Sequence, residues 1–553
     1  MVSLSAALKY DRRLIQSLPA GVYLFMLLSY LLTITGHVSH ITELLILYEA
    51  LGLAASAYLV LAKKKAIREP FADPGNLVFI ILLILLYIVS LHMRITNFDD
   101  FHSWAITPKD MYYVNGLPTG SMASTFYRDY FPTVFIMDFL MFRLTGAFRE
   151  STMYFVLWAL MLVSLAEFTH RKKEDDSVTY ICRALLGIML PFLISFQFLH
   201  SVGTDILATT VFGSALVYIM DIRRGDEPGV FGYARIILTV TVLGMLKTTS
   251  LILSLVCIGV FFVRMIEPKK IKSWLVFSIL PVITLVFWES WKIFCRIKGN
   301  TTYLSDNLEK NMSSGHTALP DYALSTAKEF TLKLFTYGLN DGAAGLSSAV
   351  ILLIFVVSFI IYIRRNGGRS EDRLSLAVIL LGMAGYLLVM LYVYLFVFEE
   401  WEALSLSSYD RYIATYFGAM LYAALYLLMK ERLRPVWTAP LITLVLAVTV
   451  NFGYVERTMV PSGYQREYGE LIAEIDSIEE EFLKAAGERP GYGECIVVVD
   501  PSEDQLRSKV LPYAAVPGVT RLIKPAEDGT MPDEGEIQDM ADDYNARIID
   551  LRR

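Results

Sequence analysis

The sequence predicts an α-helical polytopic membrane protein of about 13 transmembrane helices with a small C-terminal extracytoplasmic α/β domain. Three observations carry this prediction. Hydrophobic residues make up 55% of the 553 residues, and charged residues make up only 19%, below the roughly 25% of soluble domains. The mean hydropathy is +0.48. More than a dozen apolar segments approach the roughly 20 residues that a bilayer crossing needs, which excludes a soluble enzyme with one anchor.

The apolar segments give the order of the predicted helices. The first follows the cations Lys9, Arg12 and Arg13, and it continues past signal-peptide length without a small-residue cleavage site, so we expect it to be the first span. The candidate segments are 18–35, 41–62, 76–95, 131–148, 151–170, 179–200, 205–222, 231–246, 250–266, 273–294, 345–363, 374–398, 411–429 and 436–455.

Charges in the connecting loops orient these helices. Cations before the first segment and after the second place the N-terminus in the cytoplasm, because cytoplasmic loops are enriched in Lys and Arg. If 131–148 crossed the bilayer, 16 later cations would face outward. Asp138 and Arg143 inside it would each cost on the order of 3 kcal/mol at the bilayer centre. We therefore expect 131–148 to be interfacial or re-entrant, with outer loops at 96–130 and 296–341.

The tail has a different composition. Residues 456–553 hold 22 Asp and Glu against 11 Lys and Arg, a balance of −11, which leaves +5 for residues 1–455 out of the total of −6. A β-branched run at 495–500, further candidate strands at 519–523 and 546–551, and a helical pattern at 505–510 predict an acidic, soluble α/β domain outside the membrane. Nothing in the charge pattern indicates a nucleic-acid surface.

Two adjacent carboxylates, Asp99 and Asp100, stand at the mouth of the third predicted span, followed by His102 and Trp104. One reading is an acid/base site, in which a carboxylate takes a proton from a hydroxyl. A second is a divalent-cation site for Mg or Mn. The third is a solvated helix end with an aromatic belt. The sequence leaves the three open.

Isolated cations mark other predicted outer positions. Lys247 lies between two apolar helices, where a lone cation either faces a cavity or partner or snorkels to the surface. Arg128 offers a fork suited to phosphate, or an anchoring pair with Asp129. Asp205 begins a helix, where capping and a favourable dipole interaction are the simplest roles.

The last predicted outer loop carries Glu399 and Glu400 and then the stretch Tyr409-Asp410-Arg411-Tyr412. Arg411 at the membrane lip suits a lipid phosphate, with the tyrosines donating hydrogen bonds. A local pair with Asp410 is the alternative. The sequence contains no P-loop, dinucleotide fingerprint, HExxH or GxSxG motif, which lowers the weight of ATP-driven transport and of soluble-type hydrolase chemistry.

Together these residues resemble the GT-C superfamily of integral membrane glycosyltransferases. The resemblance rests on Asp99 and Asp100 in Asp-Asp-Phe-His-Ser-Trp, on the Leu-Lys pair ending at Lys247, and on the Ser-Tyr-Asp-Arg-Tyr stretch at 408–412. The family often has Tyr-Pro-Pro after the first acidic pair, whereas this chain has Tyr-Phe-Pro at 130–132. No motif covers the tail.

The resemblance implies that residues 1–455 form a GT-C-like catalytic domain for inverting transfer of a sugar from a polyprenyl-phosphate donor to a hydroxyl of a glycan, lipid or protein. Asp99 or Asp100 would be the base, with a divalent cation (Mg or Mn) as an option and no cofactor certain. The implied setting is a bacterial cytoplasmic membrane and its envelope glycans, with the site on the outer face.

The remaining implied roles concern the donor and its neighbourhood. The candidates for donor-phosphate binding are Lys247, Arg411, Tyr412 and Arg128. Further site candidates are His102, Trp104, Lys109, Asp205, Glu399, Glu400 and Tyr409. The alternatives are a lipid-linked glycan ligase or oligosaccharyltransferase and a non-enzymatic lipid-glycan flippase or transporter.

Overall fold

The computed structural model describes a helical bundle and a small parallel sheet. The described residues are 1–171, 177, 180–181, 184, 199–222, 228–265, 271–302, 306–307, 319–339, 346–430, 452–526 and 530–552. The α-helices are Val2–Lys9, Leu14–Ile34, Ile41–Leu61, Arg68–Phe71, Pro74–Ser90, Ile106–Val114, Thr133–Thr145, Glu150–Ser164, Ala166–Thr169, Asp205–Asp221, Gly229–Gly244, Ser250–Met265, Ile271–Lys298, Ala323–Thr336, Ser348–Arg365, Ser370–Phe396, Glu400–Ser405, Tyr409–Lys430, Phe452–Met459, Pro461–Ala486, Gln505–Ala515 and Glu534–Asp543.

Several of these helices are long and apolar enough to cross a bilayer, which makes the chain an integral membrane protein. Within the described ranges, five segments meet that criterion: Leu14–Ile34, Val38–Leu61, Ser278–Lys298, Ser348–Arg365 and Ser370–Phe396. Most of the predicted helices 179–200 and 436–455 lies outside the described residues. The total of about 13 spans and their orientation stay predictions.

The segment predicted to be interfacial or re-entrant forms the short helix Thr133–Thr145, which ends at Gly146 with a φ of +70°. Its 13 residues extend about 20 Å, less than the roughly 30 Å of a bilayer core. It packs against helix Ile106–Val114. Residues 106–111 of that helix are buried in the protein. The C-terminal domain covers them, since Lys109 Nζ lies 3.6 Å from the centroid of the Tyr513 ring.

The tail forms a small α/β unit, as its sequence predicted, and its three strands pair in parallel. Strand Cys495–Val499 is central, flanked by Val519–Ile523 on one side and Arg547–Asp550 on the other. Helices Gln505–Ala515 and Glu534–Asp543 connect consecutive strands, as parallel pairing requires. The β-branched central strand is buried because neighbours cover it on both sides.

The C-terminal domain is seated directly on the acidic turn of the membrane part. Helix Gln505–Ala515 contacts the turn Asp100–Trp104, and the rings of Phe101 and Tyr513 meet edge to face at 5.2 Å. Ser124 Oγ donates a hydrogen bond to the Gly518 carbonyl at 3.1 Å. These contacts fix one face of the domain beside Asp99 and Asp100.

An ion-pair network holds helix Gln505–Ala515 in the domain. Arg507 Nε lies 3.0 Å from the fully buried carboxylate of Asp500, at the end of the central strand. The two terminal nitrogens of Arg507 bind the two oxygens of Glu481 at 2.7 and 3.0 Å. The carboxylate of Asp500 therefore has a structural partner.

We expect Arg507→Met to lower the free energy of unfolding of the C-terminal domain by about 3 kcal/mol, because it leaves the buried Asp500 carboxylate without its cation. Limited proteolysis of the full chain in detergent measures this as faster cleavage within the domain. The control is Arg466→Met, which breaks an exposed pair with Glu456 and should cost under about 1 kcal/mol. Equal protection of both variants would contradict the assignment.

Candidate functional site

The side chains of the adjacent residues Asp99 and Asp100 lie in different environments. Residues Asp100–Trp104 form a wide π-helical turn, and Asp99 precedes it. The Asp99 side chain is 52% exposed, whereas Asp100 is fully buried. Ser103 Oγ donates to the Asp99 carbonyl at 2.6 Å and tightens the turn. The pair therefore splits into one accessible and one inaccessible acid.

Asp100 holds a loop from another part of the chain. Its Oδ1 accepts a hydrogen bond from Ser201 Oγ at 2.9 Å, and its Oδ2 accepts one from the Val202 N–H at 3.1 Å. Burial raises the pKa of Asp100 to about 7, although these two hydrogen bonds oppose the shift. The bound loop leads into helix Asp205–Asp221. Asp100 thus positions Asp205.

A chain of alternating charges links four candidate residues. Lys247 Nζ donates to Asp205 Oδ1 at 2.5 Å, Arg411 Nε lies 3.5 Å from Asp205 Oδ2, and Arg411 Nη1 donates to Asp99 Oδ2 at 2.8 Å. Asp205, Lys247 and Arg411 are largely buried. The sequence had left these contacts open.

The structure resolves the alternatives for these charges. Asp205 makes no side-chain cap, because its carboxylate turns toward the two cations, so the capping prediction is wrong. Lys247 has a buried partner and does not snorkel to the surface. Arg411 pairs with Asp99, 312 positions away along the chain. The site is thus assembled by tertiary contacts.

Two cavities adjoin at this charge chain. The polar cup has a volume of about 110 Å³ and is lined by Asp99, His102, Ser103, Trp104, Tyr127, Tyr130, Phe398, Glu402, Ser407, Ser408, Arg411, Tyr412 and Lys509. The apolar groove has a volume of about 320 Å³ and is lined by Trp104, Asp129, Tyr130, Phe131, Leu246, Lys247, Thr248, Thr249, Ile252, Lys292, Thr302, Val389, Met390, Tyr392, Val393, Val397, Phe398 and Tyr412.

Four aromatic residues line both cavities and form the wall between them: Trp104, Tyr130, Phe398 and Tyr412. The rings of Trp104 and Tyr130 lie 4.8 Å apart, and Lys247 Nζ lies 4.1 Å from the centroid of Tyr412. Arg411 faces the cup and Lys247 faces the groove, on either side of Tyr412. An anion at the aromatic wall, where the cup and the groove join, would meet both cations. We call this point the junction.

The cup also contains residues that sequence analysis missed. Lys509 comes from helix Gln505–Ala515 of the C-terminal domain, and Glu402 comes from the loop helix Glu400–Ser405. Burial, with the charge of Lys509 as a second cause, lowers the pKa of His102 to about 4, so this ring is neutral at physiological pH. No sequence signal marks Lys509, because only the docking of the domain brings it to the cup.

One wall of the cup has a strained backbone. Leu406 and Ser408 adopt φ values of +52° and +57°, in a region that residues other than glycine seldom occupy. Such residues cost of order 1–3 kcal/mol and are enriched at functional sites. The strained turn presents Ser407 and Ser408 to the cup immediately before Arg411.

Besides Asp100 and Asp205, five predicted site residues line neither cavity. Arg128 donates to its own loop's carbonyls, at Thr125 and Ala123. Lys109 is buried against Glu479, with its pKa lowered by burial. The other three belong to the last predicted outer loop: Glu399 caps the helix that begins at Glu400, and Tyr409 donates to the Phe330 carbonyl.

The carboxylates of the site do not present a metal-ligand set. Among the residues that the structure describes, no three His, Cys, Asp or Glu side chains lie close enough together to hold an ion. Asp99 is engaged by Arg411, and both oxygens of Asp100 are occupied by hydrogen bonds. The Mg or Mn site stays a prediction.

The fold and the two cavities define a class, a polytopic α-helical membrane protein with a charged cup beside an apolar groove. No protein-family model and no curated protein matches the chain. Among solved structures it is similar to the Archaeoglobus fulgidus oligosaccharyltransferase tethered with an acceptor peptide containing the NVT sequon. The identity is 11% and the TM-score 0.39, over 85% of this chain and 68% of that one.

We expect Asp100→Asn to remove one source of pH dependence from stability. The pKa of Asp100 rises from 3.8 to about 7 on folding, so its contribution is full below pH 3.8 and is lost as the pH rises toward 7. The total is about 4 kcal/mol. Thermal unfolding in detergent should show wild type losing stability relative to the variant from about pH 4 to about pH 7. A constant difference would show that Asp100 stays ionised throughout.

Proposed function

We propose that the chain is a membrane glycosyltransferase that moves a sugar from a polyprenyl-phosphate donor to an acceptor hydroxyl. One observation carries the proposal: an apolar groove inside a membrane-spanning bundle ends at two cations, which stand beside an accessible carboxylate. A lipid tail, a phosphate and an acceptor hydroxyl each require one of these three surfaces. In this proposal the site faces the outside of a bacterial cytoplasmic membrane and serves an envelope glycan.

The groove suits the lipid tail. Its apolar side includes Val389 and Tyr392, which are 39% and 41% exposed on the membrane-spanning helix Ser370–Phe396. The groove therefore opens toward the bilayer, and a polyprenyl chain can enter it without leaving the lipid. A donor held this way presents its phosphate at the aromatic wall.

The cations at the wall suit the phosphate. Arg411 has five N–H donors and Lys247 has three, and their carboxylate partners engage only some of them. Buried atoms also face each other without a hydrogen bond at this point, since Arg411 Nε and Asp205 Oδ2 have no such partner among the described groups. A phosphate oxygen at this point would accept hydrogen bonds from the N–H groups of Arg411 and Lys247 that their carboxylate partners leave unused.

Of the two adjacent acids, Asp99 is better placed than Asp100 to act as the general base. It lines the cup and is half exposed, whereas Asp100 is fully buried with both oxygens engaged. In the proposed step Asp99 takes the proton of the acceptor hydroxyl, and that oxygen bonds to the anomeric carbon. The bond from this carbon to the phosphate oxygen breaks, and its electron pair leaves with the polyprenyl phosphate. The developing negative charge meets Lys247 and Arg411.

We expect Asp99→Asn to reduce transfer from a radiolabelled polyprenyl-phosphate sugar by about 100-fold or more, because the amide cannot accept the proton. Asp100→Asn should lose less than about tenfold, since an amide oxygen can still accept one of the two hydrogen bonds. Label moved to an acceptor in reconstituted membranes is the measurement. Donor that crosses the membrane chemically intact, with both variants like wild type, would instead identify a flippase or transporter.

We expect Lys247→Met to slow transfer by about 100-fold through loss of leaving-group stabilisation. Lys333→Met is the matched control, because this half-buried lysine donates to the Ser405 carbonyl and lines neither cavity. Equal rates for the two variants would exclude phosphate binding at Lys247. Comparing donors that carry one sugar with donors that carry a glycan separates a monosaccharide transferase from a glycan ligase.

A further inference from the structure

We infer that Lys509 of the C-terminal domain is the acceptor-recognition residue of the cup, and that the acceptor carries an acidic group, a carboxylate or a phosphate, near the hydroxyl that receives the sugar. The inference rests on the proposed function. It adds a substrate class and assigns a role to a domain that the proposed step does not otherwise use.

The first observation is the position of Lys509. Helix Gln505–Ala515 packs on the turn Asp100–Trp104, and this contact brings Lys509 into the lining of the cup with Asp99 and His102. Arg507 on the same helix is fixed by Asp500 and Glu481, which anchors the helix two residues before Lys509. The cation is therefore held at the cup by a rigid element.

The second observation is the state of its partners. Lys509 makes no hydrogen bond or ion pair with the described residues. The charge of Asp99 attracts Lys509, but the two side chains are not in direct contact. Asp99 is bound directly by Arg411, and the neighbouring Lys524 repels Lys509. Glu402, the other acid of the cup, accepts a hydrogen bond from the Glu399 N–H. The three N–H donors of Lys509 are therefore available to a ligand.

The third observation is desolvation. Lys509 is half-buried, and burial lowers its pKa. A cation withdrawn from water without a bound anion carries a free-energy penalty that an incoming anion would offset. Lys247 faces the groove and is paired with Asp205, and Arg411, the other cation of the cup, is paired with Asp99 and Asp205. Lys509 is therefore the cation of the cup left for the acceptor.

The test uses the full chain in lipid nanodiscs with a radiolabelled polyprenyl-phosphate sugar. The acceptors are envelope lipids and glycans separated by anion exchange into neutral and anionic fractions. Wild type should label the anionic fraction. Lys509→Met should raise the apparent KM for that fraction at least about tenfold while kcat and the donor KM stay unchanged. Phosphatase treatment of the fraction removes monoester phosphates and leaves carboxylates, which identifies the acidic group.

Two matched variants complete the test. Lys509→Arg should keep most of the acceptor affinity, because it retains the charge. Lys524→Met removes a nearby cation that donates to the Asp504 carbonyl outside the cup, and it should behave as wild type. Equal labelling of the neutral fraction by wild type, or a loss of kcat without a change in acceptor KM in Lys509→Met, would overturn the inference while leaving the transferase intact. A wild type that consumes no donor would overturn both.

Discussion

The ion pair between Arg411 and Asp99 joins parts of the chain that are 312 positions apart, and the other features of the site depend on it. Through Arg411 the charge chain reaches Asp205, and through Asp205 it reaches Lys247. These groups come from two helices, Asp205–Asp221 and Tyr409–Lys430, from the turn at Asp99 and from the loop that carries Lys247. Each cation is therefore positioned by a carboxylate from a different element. Removing one partner would leave a buried charge uncompensated, which costs several kcal/mol. The arrangement is therefore rigid before any substrate binds, which favours preorganised electrostatics.

The aromatic wall separates two chemical environments that the proposed lipid-linked donor would bridge. On one side the groove is apolar and open to the bilayer, and on the other the cup is polar and covered by the C-terminal domain. Tyr412 stands between Lys247 and Arg411, close enough to both for cation–π contact. Desolvation by these rings strengthens the field of both cations at the junction. In the proposed function, the donor and the acceptor can then meet at this wall while the lipid tail of the donor stays in the bilayer and the acceptor stays in the polar cup.

Much of the fold could be predicted from the sequence, because apolar length and β-branched runs are local signals. The strands at Cys495–Val499 and Val519–Ile523 are where the pattern placed them. Asp99, Lys247 and Arg411 were found as unusual charges, and the structure brings them together. The partner of each charge was not predictable, since Asp205 resembled a helix cap. Lys509 was missed because its position depends on how one domain docks on another, which periodicity does not encode.

The most direct test of the central claim is a cryo-electron microscopy structure of the full chain in nanodiscs with bound polyprenyl phosphate. The proposed function predicts phosphate density within hydrogen-bond distance of Lys247 and Arg411, with the lipid tail in the groove beside Val389 and Phe398. Phosphate density elsewhere, or an occupied groove with the phosphate turned away from both cations, would contradict the assignment of this junction as the donor site.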